Sequence, residues 1–387
     1  MVSSIASQVL TLPRPALLLL ADGTVFSGRA AGSGSAVAVG EVVFNTSMTG
    51  YQEMLTDPSY RGQILVLTTP HVGVVGWNGD DLESTRPWVE ALIVADLETQ
   101  PSNWRSTSSL PERLAAREVP VAWGFDTRAI VLHLREHGAL PGVLVCGRVP
   151  IESERIALLG RAVGTDRRDL ASEVAPPGTG GWDGEPWHSP GARGNPRPPH
   201  WRVTVIDCGV KHSILRRLKA AGAAVTTMPP AATATEILAT APDGVVVSNG
   251  PGDPAAVPGV PDTIHALLGR VPLLGICLGH QLLAIALGGR TCKLPFGHHG
   301  GNHPVRDQAT GAVWITAQNH NYAVEAASLP AGTTVTMTNL TDGSVEGIGC
   351  AQSGAEGVQF HPEGGPGPHD AFGIFARFAA RCRRGGR

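Results

Sequence analysis

Downstream of residue 200 the chain alternates between two hydrophobic rhythms. Short aliphatic and β-branched runs, RVTVID (202–207), GVVV (244–247) and VPLLGI (271–276), lack a regular polar face, as strands buried on both sides do. Between and after them, SILRRLKAAG, PDTIHALLGR and CLGHQLLAIALGG carry apolar residues at helical spacing, the first and last closing on glycine. Strands alternating with helical stretches predict an α/β domain, a doubly wound, mostly parallel sheet with helices on both faces. Upstream, ALLLLADGTVFSGRA and GEVVFNTSMTG predict short strands and turns, and DTRAIVLHLREHGALPGVLVCG predicts a helix, a glycine stop and a strand. That half is expected to be a mixed α and β domain. No internal repeat is apparent.

The two rhythms are separated by PPGTGGWDGEPWHSPGARGNPRPPH, in which seven prolines and six glycines leave no room for a helix or a central strand. This predicts a linker at 176–200, an N-terminal domain at 1–175 and a C-terminal domain at 201–387. Trp182 and Trp187 suggest that the linker lies on a surface.

Composition narrows the class of partner. The 387 residues are 42% hydrophobic and 16% charged with a net charge of −3, and no basic stripe points to nucleic acid or an anionic membrane. The apolar run at 16–20 has only Arg14 as a basic residue before it, is preceded by Pro13 and Pro15 and is followed by Asp22, unlike a signal peptide or membrane span. Six scattered cysteines without CxxC pairing predict a reducing, cytoplasmic setting with neither disulfide framework nor zinc site.

One of those cysteines stands apart. Cys277 falls where VPLLGI ends and a helix begins, at the carboxyl end of a strand, where doubly wound sheets gather their ligands. Gly275 and Gly279 flank it as in a nucleophile elbow, with sulfur in place of a hydroxyl. The helix beyond leaves unpaired N–H groups, among them that of Leu278, facing a thiolate or an oxyanion. The plainer reading is a buried structural thiol.

A thiol nucleophile needs a base and an orienting group. GVQFHPE places His361 and Glu363 two residues apart at a strand end, and the intervening proline favours an extended backbone that projects both side chains to one side. SNGPGDP (248–254) offers backbone N–H groups without obstructing side chains. Taken singly, each stretch also reads as an ordinary strand end or turn.

Together, GICLGHQLLA, QFHPE and SNGPGDP resemble the class I (triad) glutamine amidotransferase family. GEVVFNTSMTGYQEMLTDPSYRGQI, FGHHGGNHPV, TAQNHNYAV and PGPHD extend the likeness to the small subunit of carbamoyl phosphate synthetases over nearly the whole chain. The resemblance implies that Cys277 attacks the side-chain amide of L-glutamine to give a γ-glutamyl thioester and ammonia. His361 would be the base and Glu363 the third triad member. Ser47, Gly250, Gly252, Leu278 and Gln281 would bind glutamine, Gly252 and Leu278 offering oxyanion N–H groups, and Asn319, Asn321 and Tyr322 would contact it as well. Where the family often has NHGF or NHGY, this chain has Asn321 and Tyr322; if the glycine needs a positive φ, asparagine is its least costly replacement.

The resemblance also implies a large partner subunit, in a heterodimer or higher oligomer, that binds ATP and magnesium and uses the ammonia to make carbamoyl phosphate from bicarbonate for arginine or pyrimidine synthesis. No GxxxxGK[ST] or GxGxxG stretch occurs here, so no cofactor is expected in this chain. FGHHGGNHPV is expected to be a loop near the active-site domain. Its His298, His299 and His303 lack carboxylate or cysteine company, so no metal is expected either. Three alternatives stay open: the amidotransferase of another synthetase, a stand-alone cysteine γ-glutamyl hydrolase, and a non-catalytic interaction subunit on the same fold.

Overall fold

The computed structural model describes residues 14–31, 35–184 and 198–385. They form two compact units, Met1–Asp166 and Arg167–Arg387.

In the first unit, strands β1 (Arg14–Leu20), β2 (Val25–Ala30), β3 (Ala36–Asn45), β4 (Gln63–Leu67), β5 (Ala91–Ile93), β6 (Val121–Trp123) and β7 (Leu140–Cys146) close into a barrel of order β1-β2-β6-β5-β4-β3-β7. Closure removes the sheet edges that seven short strands would otherwise expose. Antiparallel pairs β1/β2, β1/β7 and β3/β7 carry one side, and the parallel run β3, β4, β5, β6 carries the other. The predicted helix runs from Thr127 to His137. The Asp126 side chain caps it by accepting from the N–H of Ala129 at 2.9 Å, Ile130 and Leu134 are buried, and Gly138 ends it with φ 91°.

The second unit is built on one sheet. Its strands are β8 (Gly180–Trp182), β9 (Trp201–Ile206), β10 (Ala223–Met228), β11 (Gly244–Val247), β12 (Leu273–Ile276), β13 (Thr291–Asp307), β14 (Val313–Val324), β15 (Thr334–Asn339), β16 (Val345–Cys350) and β17 (Ala355–Val358). The order is β14-β13-β15-β16-β17-β12-β11-β9-β10-β8, and the five neighbours β17, β12, β11, β9 and β10 are parallel. Alternate residues of these strands feed two cores. On one face Val203, Val205, Leu274 and Ile276 pack with Ile214 and Leu218 of helix His212–Ala220 and with Phe375 and Phe378 of helix Gly373–Gly385. On the other, Val245, Val247 and Leu273 pack with Ile237, Ile264, Leu267, Leu278 and Leu282, from helices Ala234–Ala239, Val260–Leu267 and Leu278–Ala286. This is the doubly wound arrangement that the sequence predicts.

Three features depart from the sequence reading. The division falls between Asp166 and Arg167, before the expected boundary at 175, because Arg167 and Arg168 hydrogen-bond to Asp253 (Arg167 N–H to Oδ2 at 3.0 Å, Asp253 N–H to the Arg168 carbonyl at 3.3 Å). The proline- and glycine-rich stretch contributes β8, an edge strand antiparallel to β10, where glycines and a missing ladder partner cost least. Trp182 lies in β8 with Lys219 Nζ 6.0 Å from its ring centroid, while Trp187 falls outside the described residues. FGHHGGNHPV is not a loop. It lies inside the 17-residue β13, which absorbs its glycines and proline as register shifts against β14, between Lys293 and His298 and between Gly300 and His303. Among the described residues no helix is long and apolar enough to cross a membrane.

Candidate active site

The site gathers at the carboxyl ends of β9, β11, β12 and β17, facing β14. Cys277 caps the helix Leu278–Ala286 with φ 53° and ψ −105°, a strained conformation for a residue with a β-carbon. The strain is held by packing. A β-carbon on Gly279 would lie 2.0 Å from the carbonyl oxygen of Val247, so the helix start presses directly on the end of β11. The N–H of Cys277 donates to the carbonyl of Val358 at 2.9 Å, fixing the elbow to β17. The thiol is free and only 2% exposed, and donates toward the carbonyl of Asn319 at 3.6 Å.

From the neighbouring strand, His361 and Glu363 project to the same side, Nδ1 lying 2.7 Å from Oε1. The N–H of His361 donates to the carbonyl of Ala317 at 2.8 Å, so β14 holds the extended backbone on which this pairing depends. Nε2 is buried without a hydrogen-bond partner among the described residues. Burial disfavours the charged ring, yet Glu363 and the sulfur of Cys277 outweigh it and push His361 up to about 10. Burial likewise works against the Glu363 carboxylate, but Lys211 and His361 hold it well below the usual carboxylate range.

Lys211 was not anticipated from sequence. It follows β9 in GVKHS, and its Nζ donates to Glu363 Oε1 at 2.8 Å and to the carbonyl of Gly365. Its position past a strand's carboxyl end in a doubly wound sheet was the available signal. Gln359, two residues before His361, was also missed; its Nε2 reaches the Cys277 sulfur at 3.7 Å.

The remaining predicted positions are placed as follows. Leu278 begins the helix, so its N–H has no carbonyl four residues back within that helix. Gly250 packs against it: a β-carbon there would meet Leu278 Cδ2 at 2.8 Å and the Cys208 carbonyl oxygen at 2.1 Å. Gly252 takes φ 93° in the same turn. Both amide protons of Gln281 are committed, to the Tyr322 carbonyl at 2.7 Å and Gln359 Oε1 at 3.0 Å, so Oε1 is its side-chain atom left for a ligand. Asn319, Asn321 and Tyr322 lie on β14 beside Cys277 and Gln281. Ser47 belongs to the first unit, half-buried on the turn after β3, where its N–H donates to Asn45 Oδ1 at 2.8 Å.

Asn321 does not take the positive φ considered for it; it is ordinary strand backbone. Its side chain pairs instead with His299, whose two ring nitrogens lie 2.9 Å from Asn319 Oδ1 and Asn321 Oδ1. Burial drops His299 to about 4, so the ring is neutral and its single N–H can donate to only one of these two oxygens.

His298 does find acidic company, which the sequence alone did not show. His298, His320 and Glu346 bring ligand atoms within 4.8 Å of one another, and Asp342 Oδ2 lies 3.0 Å from His298 Nε2. Their atoms are nearly all engaged, however. Glu346 accepts from Asn339 Nδ2 at 2.8 Å and Gln318 Nε2 at 2.9 Å, and His320 meets the Tyr322 carbonyl and Gln318 Oε1, both at 2.8 Å. Only His298 Nδ1 lacks a hydrogen-bond partner among the described residues. A cation would have to displace the amides already seated there, so the cluster fits a hydrogen-bonded network better than a ligand set.

Residues 204–380 match the family model Glutamine amidotransferase class-I, and residues 18–144 match Carbamoyl-phosphate synthase small chain, CPSase domain. The carbamoyl phosphate synthase small chain of Syntrophotalea carbinolica is 46% identical over 366 residues, 94% of this chain and 96% of that one. This chain belongs to the carbamoyl phosphate synthase small chain family. The small chain of Pseudomonas putida is 45% identical over 373 residues, covering 95% of this chain and 98% of its own. The chloroplastic small chain of Arabidopsis thaliana is 44% identical over 370, covering 95% and 86%. The amidotransferase match spans the second unit's strands from β9 to β17, and the small-chain match spans most of the barrel. Both halves thus carry the small-chain assignment, which the amidotransferase half alone would not distinguish from other synthetases.

Proposed function

We propose that this small chain hydrolyses L-glutamine at Cys277 and supplies the ammonia to a large, ATP-using partner subunit. The observation that carries the reading is the buried array at the elbow: Cys277, then His361, with Glu363 2.7 Å from the ring and Lys211 2.8 Å beyond. The Cys277 thiolate adds to the side-chain carbonyl carbon of glutamine, and the C=O electron pair moves onto oxygen. That oxyanion is met by the N–H groups of Leu278 and Gly252. Protonated His361 gives its Nε2 proton to the departing nitrogen, the C–N bond breaks, and ammonia leaves a γ-glutamyl thioester. Neutral His361 then takes a proton from water, the resulting hydroxide attacks the thioester, and glutamate departs as the thiolate re-forms against imidazolium.

Gly250, Gln281, Asn319, Asn321 and Tyr322 are assigned to glutamine binding. Supporting this, Gln281 and the β14 residues share hydrogen bonds beside the thiol. ATP, magnesium and bicarbonate are assigned to the partner, where the ammonia becomes carbamoyl phosphate.

The test is Cys277→Ala in the assembled complex. Glutamine-dependent carbamoyl phosphate synthesis is expected to vanish while synthesis from added ammonium salt persists. Loss of both would overturn the division of labour.

A further inference from the structure

Gln359 is fully buried and makes two contacts with one planar carboxamide. Its Nε2 donates to the Cys277 sulfur at 3.7 Å, and its Oε1 accepts from Gln281 Nε2 at 3.0 Å. Its backbone N–H is anchored to the Glu346 carbonyl at 2.9 Å, and His361 follows two residues later on the same extended segment. The side chain therefore has one orientation. Were the amide reversed, its oxygen would face the sulfur and its NH2 the NH2 of Gln281, losing both bonds.

We infer that Gln359 is a positioning residue that couples the two halves of the site, steadying the Cys277 sulfur with its amide protons and fixing the carboxamide of Gln281 with its oxygen. An N–H aimed at sulfur favours the thiolate over the thiol. The bond from Gln281 leaves that residue's Oε1 turned to the substrate, since its other amide proton is held by the Tyr322 carbonyl. The inference rests on Cys277 as nucleophile and Gln281 as a glutamine contact. Three residues on three separate elements, β17's continuation, the elbow and the helix that follows it, are thereby held in register by one uncharged group.

Two substitutions separate the roles. Gln359→Glu keeps an acceptor for Gln281 and replaces the donor at sulfur with a carboxylate oxygen. Gln359→Met matches the volume and removes both bonds. The readout is the pH dependence of Cys277 alkylation by iodoacetamide in the purified chain, with glutamine protection and glutaminase KM and kcat measured alongside. Gln359→Glu is expected to move the alkylation midpoint upward by about one pH unit, a tenfold change in ionisation, and to lower kcat with KM nearly kept. Gln359→Met is expected to shift the midpoint likewise and also to raise KM about tenfold. Should the buried carboxylate prevent folding, judged by circular dichroism, the Met variant carries the test alone. Alkylation profiles that overlay the wild type in a folded variant overturn the inference. Wild-type Cys277 that glutamine fails to protect overturns instead the reading on which it rests.

Discussion

Lys211 Nζ lies 2.8 Å from Glu363 Oε1, with 3% and 0% of their side chains exposed, so the carboxylate that orients His361 is itself held by a buried ammonium. Both cations address the same oxygen, and Oε2 has no partner among the described residues. Lys211, Glu363 and the protonated His361 alternate in sign, which is how so dry a site can keep ions. Lys211→Met leaves Glu363 with His361 alone. Removing one partner of a buried pair costs about 3 kcal/mol, and glutaminase activity is expected to fall at least tenfold. Denaturant midpoints and glutaminase assays check both; unchanged activity would show that the ammonium is only structural.

The same array sets a pH dependence. His361 is raised from its ordinary 6.5 to about 10, so its contribution to stability is complete below pH 6.5 and is lost as pH rises toward 10. Glu363 is lowered from 4.5, so its contribution is complete above pH 4.5 and is lost as pH falls below it. Glu363→Gln should therefore destabilise the chain most between these limits. Urea midpoints at pH 6 and pH 10 are expected to differ from wild type by more at the lower pH; an equal gap at both would contradict the assignment of His361 as a raised, protonated base.

What the sequence made legible was whatever a local rule governs. Cys277 between two glycines announces its elbow because only a strand-to-helix turn pressed on β11 needs Gly279, and HPE announces its pairing because extended residues two apart face one way. Lys211 was hidden because its partner is 152 residues away. The antiparallel strands β13 to β16 were hidden for another reason. TCKLPFGHHGGNHPVRD has neither alternation nor β-branched density, and its strand character comes from pairing with β14 through two register shifts. Its histidines were judged without carboxylates because Asp342 and Glu346 arrive from more than forty residues on, in a strand and turn that gave no signal of meeting them.

The turn after β11 offers a steric test. A β-carbon on Gly250 would stand 2.1 Å from the backbone oxygen of Cys208, and backbone cannot swing aside as a side chain can. Gly250→Ala must therefore displace the turn from the Leu278 side chain against which it packs. Overpacking of this kind costs roughly 1–3 kcal/mol, and the displaced N–H groups should raise the KM for glutamine more than tenfold. An alanine variant with wild-type KM would remove this turn from the glutamine site.

Glu346 gives a prediction outside the triad. Its carboxyl is fully buried, and burial, reinforced by nearby Asp342, pushes it up to about 7 despite the amides of Gln318 and Asn339. A group raised from 4.5 to about 7 stabilises the fold fully below pH 4.5 and loses that contribution as pH rises through 7, a drop on the order of 3 kcal/mol. His298 Nδ1 lies 3.8 Å from Glu346 Oε1 and is lowered by burial, so it does not supply the missing positive charge. Glu346→Gln retains the shape without the ionisation. Its NH2 must face one of the two amide donors, a cost that does not vary with pH, so its stability relative to the wild type should rise between pH 5 and pH 8, read from chemical denaturation at the two values. A parallel decline in both proteins would place the titration elsewhere and leave Glu346 ionised within its network.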